Sequence, residues 1–412
     1  MSHTTESEDA PLKSGNGTRF LPNVEQWRKN QIAVNVSGAF LFFGYTLVMP
    51  FLPIYVRQLG VQSTAGIAFW SGLILSISPL ISALAGPLWG RLGDRIGMKL
   101  MAQRATAANC VCWLLMGFSQ NVWQLFLLRA LLGLLGGFSS VSVALITQLS
   151  PKEKVGSVIG TLQSVQILSA AFGPFFGGLL ADTIGIRGTF FVTGVIAAGS
   201  FLSIALLYRD TDETVIRSQP ATKVGRDFLK RPEYLTTLLI LLFVNMADRT
   251  FGPIIPLFLE QLGTPRSRLA AVAGTLISIA AFGEAFSSWL SGKLASRVTL
   301  RKLILWRLVL SILVLLPMLI VRSTEQFSVL RVVLALLAGG TLTLALTAAS
   351  HVIPSEHRGS GYSILSGTSM LGGATGPLIA GAMAGLSLRS IFVFNTVVYA
   401  LMIGFVYRNV RH

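Results

Sequence analysis

Twelve apolar stretches of about 20 residues govern what this chain can fold into, because each is long enough to cross about 30 Å of hydrocarbon as a helix. They fall near residues 30–56, 65–88, 100–118, 121–146, 155–181, 188–208, 234–258, 267–291, 303–321, 325–348, 358–384 and 388–407. Inside a bilayer every backbone N–H and C=O must find its partner within the protein, so runs of this length fold as helices. With 52% hydrophobic residues and 12% charged, against about 25% charged in soluble domains, the 412-residue chain reads as an all-α polytopic membrane protein.

A formal charge of +16 raises the question of a nucleic-acid partner, yet the 33 Lys and Arg form no single patch. With both termini in the cytoplasm, most of them fall in an N-terminal tail (1–29), the loops on the same side, a charged linker (209–233) and a short C-terminal tail (408–412). The opposite loops hold Arg57, Arg187, Arg266, Arg268, Arg322 and Arg389, while Arg129, Arg249, Arg307 and Arg331 lie inside or at the edge of helices. That asymmetry predicts a multi-pass cell-membrane protein with cytoplasmic termini and explains the basicity without nucleic acid. Residues 1–27 are polar and lack the apolar core of a secretory signal, so the first helix is expected to act as the insertion signal. Cys110 and Cys112 read as small buried residues, not as a disulfide or metal pair.

The chain also repeats itself. MPFLPIYVRQLG (49–60) returns as GPIIPLFLEQLG (252–263): Pro50 and Pro53 recur as Pro253 and Pro256, and Gln58-Leu59-Gly60 as Gln261-Leu262-Gly263. LRALLGLLGG (128–137) returns as LRVVLALLAGG (330–340), which puts Arg129 on Arg331; Pro151 falls on Pro354, and Gly173-Pro174 on Gly376-Pro377. Two pseudo-symmetric six-helix halves follow, 30–208 and 234–407, a recurring plan of secondary transporters whose substrate path lies between the halves. Pro50 cannot donate to the carbonyl of Thr46, nor Pro253 to that of Arg249, so helices one and seven are expected to bend near their outer ends. Backbone freed in this way survives in a membrane only against protein or water, which sets both helices beside a cavity.

GRLGDRIGMK (90–99) joins helices two and three, with glycines suited to a tight turn and both signs of charge in Asp94, Arg95 and Lys99. It resembles the loop signature of the major facilitator superfamily, G-x-x-x-D-R-x-G-R-K: Gly90, Asp94, Arg95, Gly97 and Lys99 match, and Met98 replaces an Arg. The resemblance implies a cytoplasmic gate whose salt bridges form and break. In the second copy, GKLASRVTLRK (292–302), Ser296 stands in place of the aspartate, so the lock is expected to rest on Asp94. SAAFGPFFGGLL (169–180) resembles the antiporter signature G-x-x-x-G-P-x-x-G-G, with Gly173, Pro174, Gly177 and Gly178 matching and Ser169 in the first glycine's place. Small residues every fourth position permit close helix approach; Gly376 and Pro377 repeat the pattern, which suggests a symmetric gating pair. Arg129 and Gly133 resemble a further family motif, R-x-x-x-G. Together these imply the twelve-helix drug:proton antiporter branch, which exports lipophilic, often cationic compounds in exchange for protons.

Proton coupling needs a titratable group within the membrane. A charge at mid-bilayer costs about 2.5–3.5 kcal/mol on insertion scales, so each one kept there is a functional candidate. Asp248, about 21 Å into helix seven, is the first choice and Glu284 in helix eight the second. Arg249 adjoins Asp248, but helix neighbours point about 100° apart, so the two are expected to face different partners. Should another helix supply Asp248 with a cation, a static ion pair is the competing role. Arg307, near a helix end, is expected to snorkel to the interface. Helix one has no acid: Tyr45 stands where Asp248 would, a departure from exporters with a carboxylate there, and it weakens the case for cationic substrates. Asn35, Tyr45, Gln163, Gln166 and Asn245 could line a substrate pocket.

No Ser-His-acid grouping, metal-ligand cluster or phosphate loop is present, and His3, His351, His357 and His412 are scattered. The sequence therefore predicts a secondary transporter and not an enzyme, with no catalytic residues, metal or cofactor, driven by the proton gradient. Its expected partners are small lipophilic substrates, protons and membrane lipids, and a monomer is expected. A narrow-substrate exporter, or a proton symporter for a sugar, organic anion or lipid, is the alternative, and a non-transporting receptor or scaffold a remote one.

Overall fold

Short polar sequences cap three of the described helices at their starts. Asn121 accepts from the backbone of Gln124 while Gln124 accepts from that of Gln120, and Ser323 with Gln326 and Arg322 repeats this reciprocal cap in the second half. Ser63 caps the second stretch by accepting from the backbone of Gly66. In the computed structural model, residues 24–150, 154–209, 231–295, 297–353 and 358–409 are described. Most of both tails and of the linker, together with Pro151, Ser296 and Pro354, lie outside the described residues, as does the side chain of Asp94.

The first span is α1 (Val24–Val48), a 3-10 turn over Met49–Phe51 and α2 (Leu52–Gln58); α3 (Thr64–Ile96) and α4 (Met98–Gly117) are the second and third. The fourth, expected as one helix, is broken into α5 (Val122–Leu135) and α6 (Phe138–Leu149), because Gly137 takes a left-handed φ of 88°. α7 (Val155–Leu202), with a π-helical turn over Ser203–Leu207, holds the fifth and sixth. The seventh is α8 (Pro232–Arg249) and α9 (Ile255–Gln261), followed by α10 (Leu269–Leu294), α11 (Leu300–Met318), α12 (Thr324–Val352), α13 (Arg358–Met383) and α14 (Ser390–Asn409). Six described segments are long and apolar enough by themselves to cross a membrane, one of them the 51-residue Ser157–Leu207. The other spans are cut by glycine or proline turns or carry more polar residues.

α7 runs past α1 in both directions. Up to Gly177 its residues meet α1 in rising order, with Gln166 beside Gly38, Gly173 beside Thr46 and Gly177 beside Leu47. Beyond Gly185 the order falls: Thr193 bonds Gly44, Ser200 bonds Ser37 and Ser203 bonds Ala33. The chain therefore reverses at Gly185, whose φ of 76° and ψ of 166° no other residue type adopts easily. Helices one and seven break where the repeated prolines stand; Pro53 and Pro256 sit in the opening turns of α2 and α9, where a missing N–H costs nothing. In the loop 90–99, Gly90 and Gly93 stay helical within α3, and Gly97, at a φ of 95°, makes the turn alone.

The two halves meet through α3 with α13 and α7 with α10, by a four-fold exchange that obeys the repeat. A Cβ on Gly72 would strike the carbonyl of Pro377, and one on Gly274 that of Pro174; Gly381 and Gly178 press likewise on the carbonyls of Ala68 and Ala270. Without lipid-excluding hydrophobic drive, such backbone approach is what packs helices together in a membrane. The hydrogen bonds, ion pair and ring contact that join Arg57 to Glu260, Phe175 to Ser278, Asp182 to Ala271 and Phe172 to Phe282 across the halves lie from mid-bundle to the face opposite the termini. The deepest is the edge contact of Phe172 with Phe282, ring centroids 5.0 Å apart.

Candidate functional site

The C-terminal half buries one cation among two carboxylates. Arg331 of α12, its side chain 7% exposed, donates from Nη2 to Oδ1 of Asp248 on α8 at 2.9 Å. The same nitrogen lies 3.7 Å from Oε1 of Glu284 on α10, outside hydrogen-bond range. Its guanidinium covers the ring of Phe251 at 4.6 Å, a favourable cation–π contact. Asp248 owes its aim to the helix break that follows it: Asn395 of α14 donates to the carbonyl of Ala247 at 3.2 Å and to Thr250 Oγ1 at 3.0 Å, replacing bonds the helix no longer makes. Tyr399, one turn further along α14, is buried within electrostatic reach of Asp248, Arg331 and Glu284. Arg249 turns away to α13, exposed beside Gly373 and Gly376.

The N-terminal half builds the matching place differently. Arg129 of α5 is fully buried and donates from Nε to the carbonyl of Ile74 at 3.3 Å. One turn on, Gly133 lies so close to the backbone of Ser78 that a Cβ would collide, so both residues of the R-x-x-x-G pair fix α5 on α3. The rings of Tyr45 and Trp113 lie 5.6 and 5.8 Å from the guanidinium.

The two copies of the opening repeat face each other at the far end of the bundle. Arg57 donates to both oxygens of Glu260, at 2.9 and 2.6 Å, and Arg266 donates to the same carboxylate at 2.7 Å. Burial would raise the Glu260 carboxyl, but the hydrogen bonds and charges of Arg57 and Arg266 outweigh it and hold the group below the usual carboxylate range. Nearby, Asp182 of α7 accepts from the N–H of Ala271 at 2.8 Å, capping α10 across the interface where α10 has no side-chain cap of its own.

The other sequence candidates are spread out. Asn245 donates to Ser369 at 2.5 Å; Gln166 lies by Gly38, Gln163 is exposed, Tyr45 is 39% exposed, and Asn35 is half-buried. Arg95 is exposed and Lys99 half-buried at the junction of α3 and α4. Arg307 does not snorkel: it turns inward and donates to Ser287, Ser291 and the carbonyls of Leu336 and Leu337, tying α11 to α10 and α12. The partnership of Arg331 with Asp248 went unread in the sequence although the repeat had marked Arg331. The Arg57–Glu260 pair went unread too, although opposite charges stand at matched positions of the repeat. Asn395 and Tyr399 carried no signal.

The family model of the Major Facilitator Superfamily matches residues 34–327 and 237–412. The chain belongs to that superfamily. Among superfamily relatives it is 36% identical over 378 residues to the Citrobacter koseri protein called Multidrug resistance protein MdtG, covering 89% of this chain and 91% of that protein. The protein of the same name from a Rahnella species is 32% identical over 399 residues, covering 96% and 97%. In fold, the chain resembles a bacterial homolog of the human lysosomal transporter Spinster solved in an inward-facing, unoccupied conformation, with a TM-score of 0.75 at 17% identity over 93% of this chain and 96% of that one. The facilitator fold thus carries its buried charge cluster in one half and an ion pair between matched positions of the two halves at the far face.

Proposed function

We propose that the protein exports lipophilic drugs and toxic compounds in exchange for protons, by alternating access between its halves. Glu284 takes up and releases the proton, and Asp248 is the fixed partner of Arg331. The observation that carries this is the unequal sharing of one guanidinium: Asp248 holds it in a charge-assisted hydrogen bond at 2.9 Å, whereas Glu284, at 3.7 Å and 32% exposed, is free to exchange its proton. The names of the relatives support drugs as substrates over a narrow nutrient.

The termini, and the side rich in Lys and Arg, face the cytoplasm. The Arg57–Glu260 pair then latches the outer side, and an opening toward the cytoplasm accepts cargo from within. A lipophilic compound enters between the halves against Tyr45, Gln163 and their neighbours. Rocking breaks the contacts of α3 with α13 and α7 with α10, and the loop with Gly90, Asp94, Arg95, Gly97 and Lys99 closes the cytoplasmic side. Gly173, Pro174, Gly177 and Gly178, with Gly376 and Pro377, form the surface on which the halves slide. Cargo leaves outward, Glu284 gains a proton there, and the return carries it in. The proton gradient is the energy source, no cofactor is required, and one chain surrounded by lipid holds the whole path.

Inverted membrane vesicles test this by following energised ethidium uptake into the lumen in the parent and the Glu284→Gln variant. Uptake should collapse with a protonophore and fall at least about tenfold in the variant, a change of about 1.4 kcal/mol or more in barrier. Uptake indifferent to both would remove the proposal.

A further inference from the structure

Arg129 is a buried cation for which the described residues supply no counter-charge. Its repeat mate Arg331 has Asp248 and Glu284. At the matching places the N-terminal half has Tyr45 and Ser82: Gly339 packs on Glu284, and its mate Gly137 lies nearest Ser82. Beyond the single bond from Nε, both Nη1 and Nη2 of Arg129 are buried with no hydrogen-bond partner among the described residues. The neighbouring rings of Tyr45 and Trp113 offer a weak attraction but no charge. A buried charge that is neither paired nor fully hydrogen-bonded is among the most costly features a fold can carry, so a partner from outside the chain is strongly favoured.

We infer that Arg129 is an anion-binding residue. Its two free nitrogens form the planar fork that suits a carboxylate or a small anion. The source is an acidic group on a transported compound or a free inorganic anion such as chloride; the recognition chemistry is the same. Tyr45, partly exposed above a fully buried Arg129 and packed edge-on to Trp113, is the side chain that must shift to admit it. A carboxylate in place of Tyr45 would make this half resemble the other and cancel the site. The inference takes only the route of entry from the transport proposal; binding needs no gradient.

The test uses purified full-length protein in nonionic detergent without a gradient, with chloride, 2-naphthoate and the neutral 2-naphthamide as probes. Thermal unfolding midpoints and equilibrium binding are read for the parent, Arg129→Gln, Arg129→Lys and Tyr45→Asp. Naphthoate should bind at least about tenfold more tightly than naphthamide, and bound anion should raise the unfolding midpoint. Arg129→Gln should abolish the preference and Arg129→Lys keep part of it. Tyr45→Asp should raise the midpoint with no anion present and remove the response to anions, which keeps the question open to test even if Arg129→Gln fails to fold. Displacement of chloride by naphthoate assigns the site to a group on the cargo, and a response to chloride alone assigns it to a free anion. Equal binding of naphthoate and naphthamide with no chloride response, or an anion response that persists in both Arg129→Gln and Tyr45→Asp, would overturn it. Because no step depends on proton flux, failure of the antiport proposal would leave this result standing.

Discussion

Arg331 is the residue on which two carboxylates compete, and its removal should cost more than removal of either partner. Arg331→Met leaves Asp248 and Glu284 facing each other without their shared cation, only the charge of Arg249 still acting on Glu284, and breaking a buried pair by deleting one member costs about 3–5 kcal/mol. Asp248→Asn leaves the guanidinium Glu284 to move to, so its loss of stability should be smaller; thermal unfolding of the two variants gives the order. A reversed order would mean that Glu284 does not share the cation. Sequence legibility at this scale divides along the same line. Intramembrane acids stand out because so few charges survive in hydrocarbon, so Asp248 and Glu284 could be read directly. Arg249 caught the eye by adjacency, but the helix turns it to α13, and the true partner lies 83 residues away on α12.

The halves pack on glycines set against carbonyls, and bulk at those points should hold the halves apart on the outer side. Gly72→Val and Gly274→Val each place side-chain atoms where the carbonyls of Pro377 and Pro174 now lie. Each should abolish export while leaving the chain folded and in the membrane, and a cysteine placed near the outer face should label faster in the variant than in the parent. Unchanged labelling would show that these contacts do not close that face. The G-x-x-x-G-P pattern revealed close packing from the sequence. Which carbonyl meets which glycine across the molecule was not legible, because helical periodicity gives a face and not its partner. The break of the fourth span at Gly137 was missed for a related reason: within an apolar run, a glycine that packs and a glycine that turns look alike.

At the scale of the whole molecule, the repeat that could be read in MPFLPIYVRQLG and GPIIPLFLEQLG ends as a latch, Arg57 on Glu260. Reversing one charge with Glu260→Arg should unlatch the outer face and slow transport, and Arg57→Glu added to it should restore much of both. A charge-assisted hydrogen bond contributes about 1.5–3 kcal/mol, roughly a tenfold to hundredfold shift in the balance of states. The latch is also acid-sensitive, and its sign follows from linkage. The Glu260 carboxyl is held below its ordinary value of 4.5 in the latched state, so its contribution is complete above that value and fades as pH falls through the lower, latched-state pKa. Spin-label distances across the outer face should therefore lengthen in acid for the parent and stay constant for Glu260→Gln. The architecture of two six-helix halves was legible because hydrocarbon thickness sets helix length and duplication leaves matched residues. The asymmetry between them was only half legible: the missing acid at Tyr45 was plain, but not that Arg129 has no charged partner among the described residues.

Proton flux through purified protein in liposomes tests the central claim most directly, with a pH-sensitive dye inside, an imposed gradient, and lipophilic cations and neutral drugs added to the parent, Glu284→Gln and Asp248→Asn. The account predicts substrate-dependent proton movement in the parent, none in Glu284→Gln although drug still binds, and reduced but measurable movement in Asp248→Asn. Full proton movement in Glu284→Gln, or none in the parent with any compound, would contradict it.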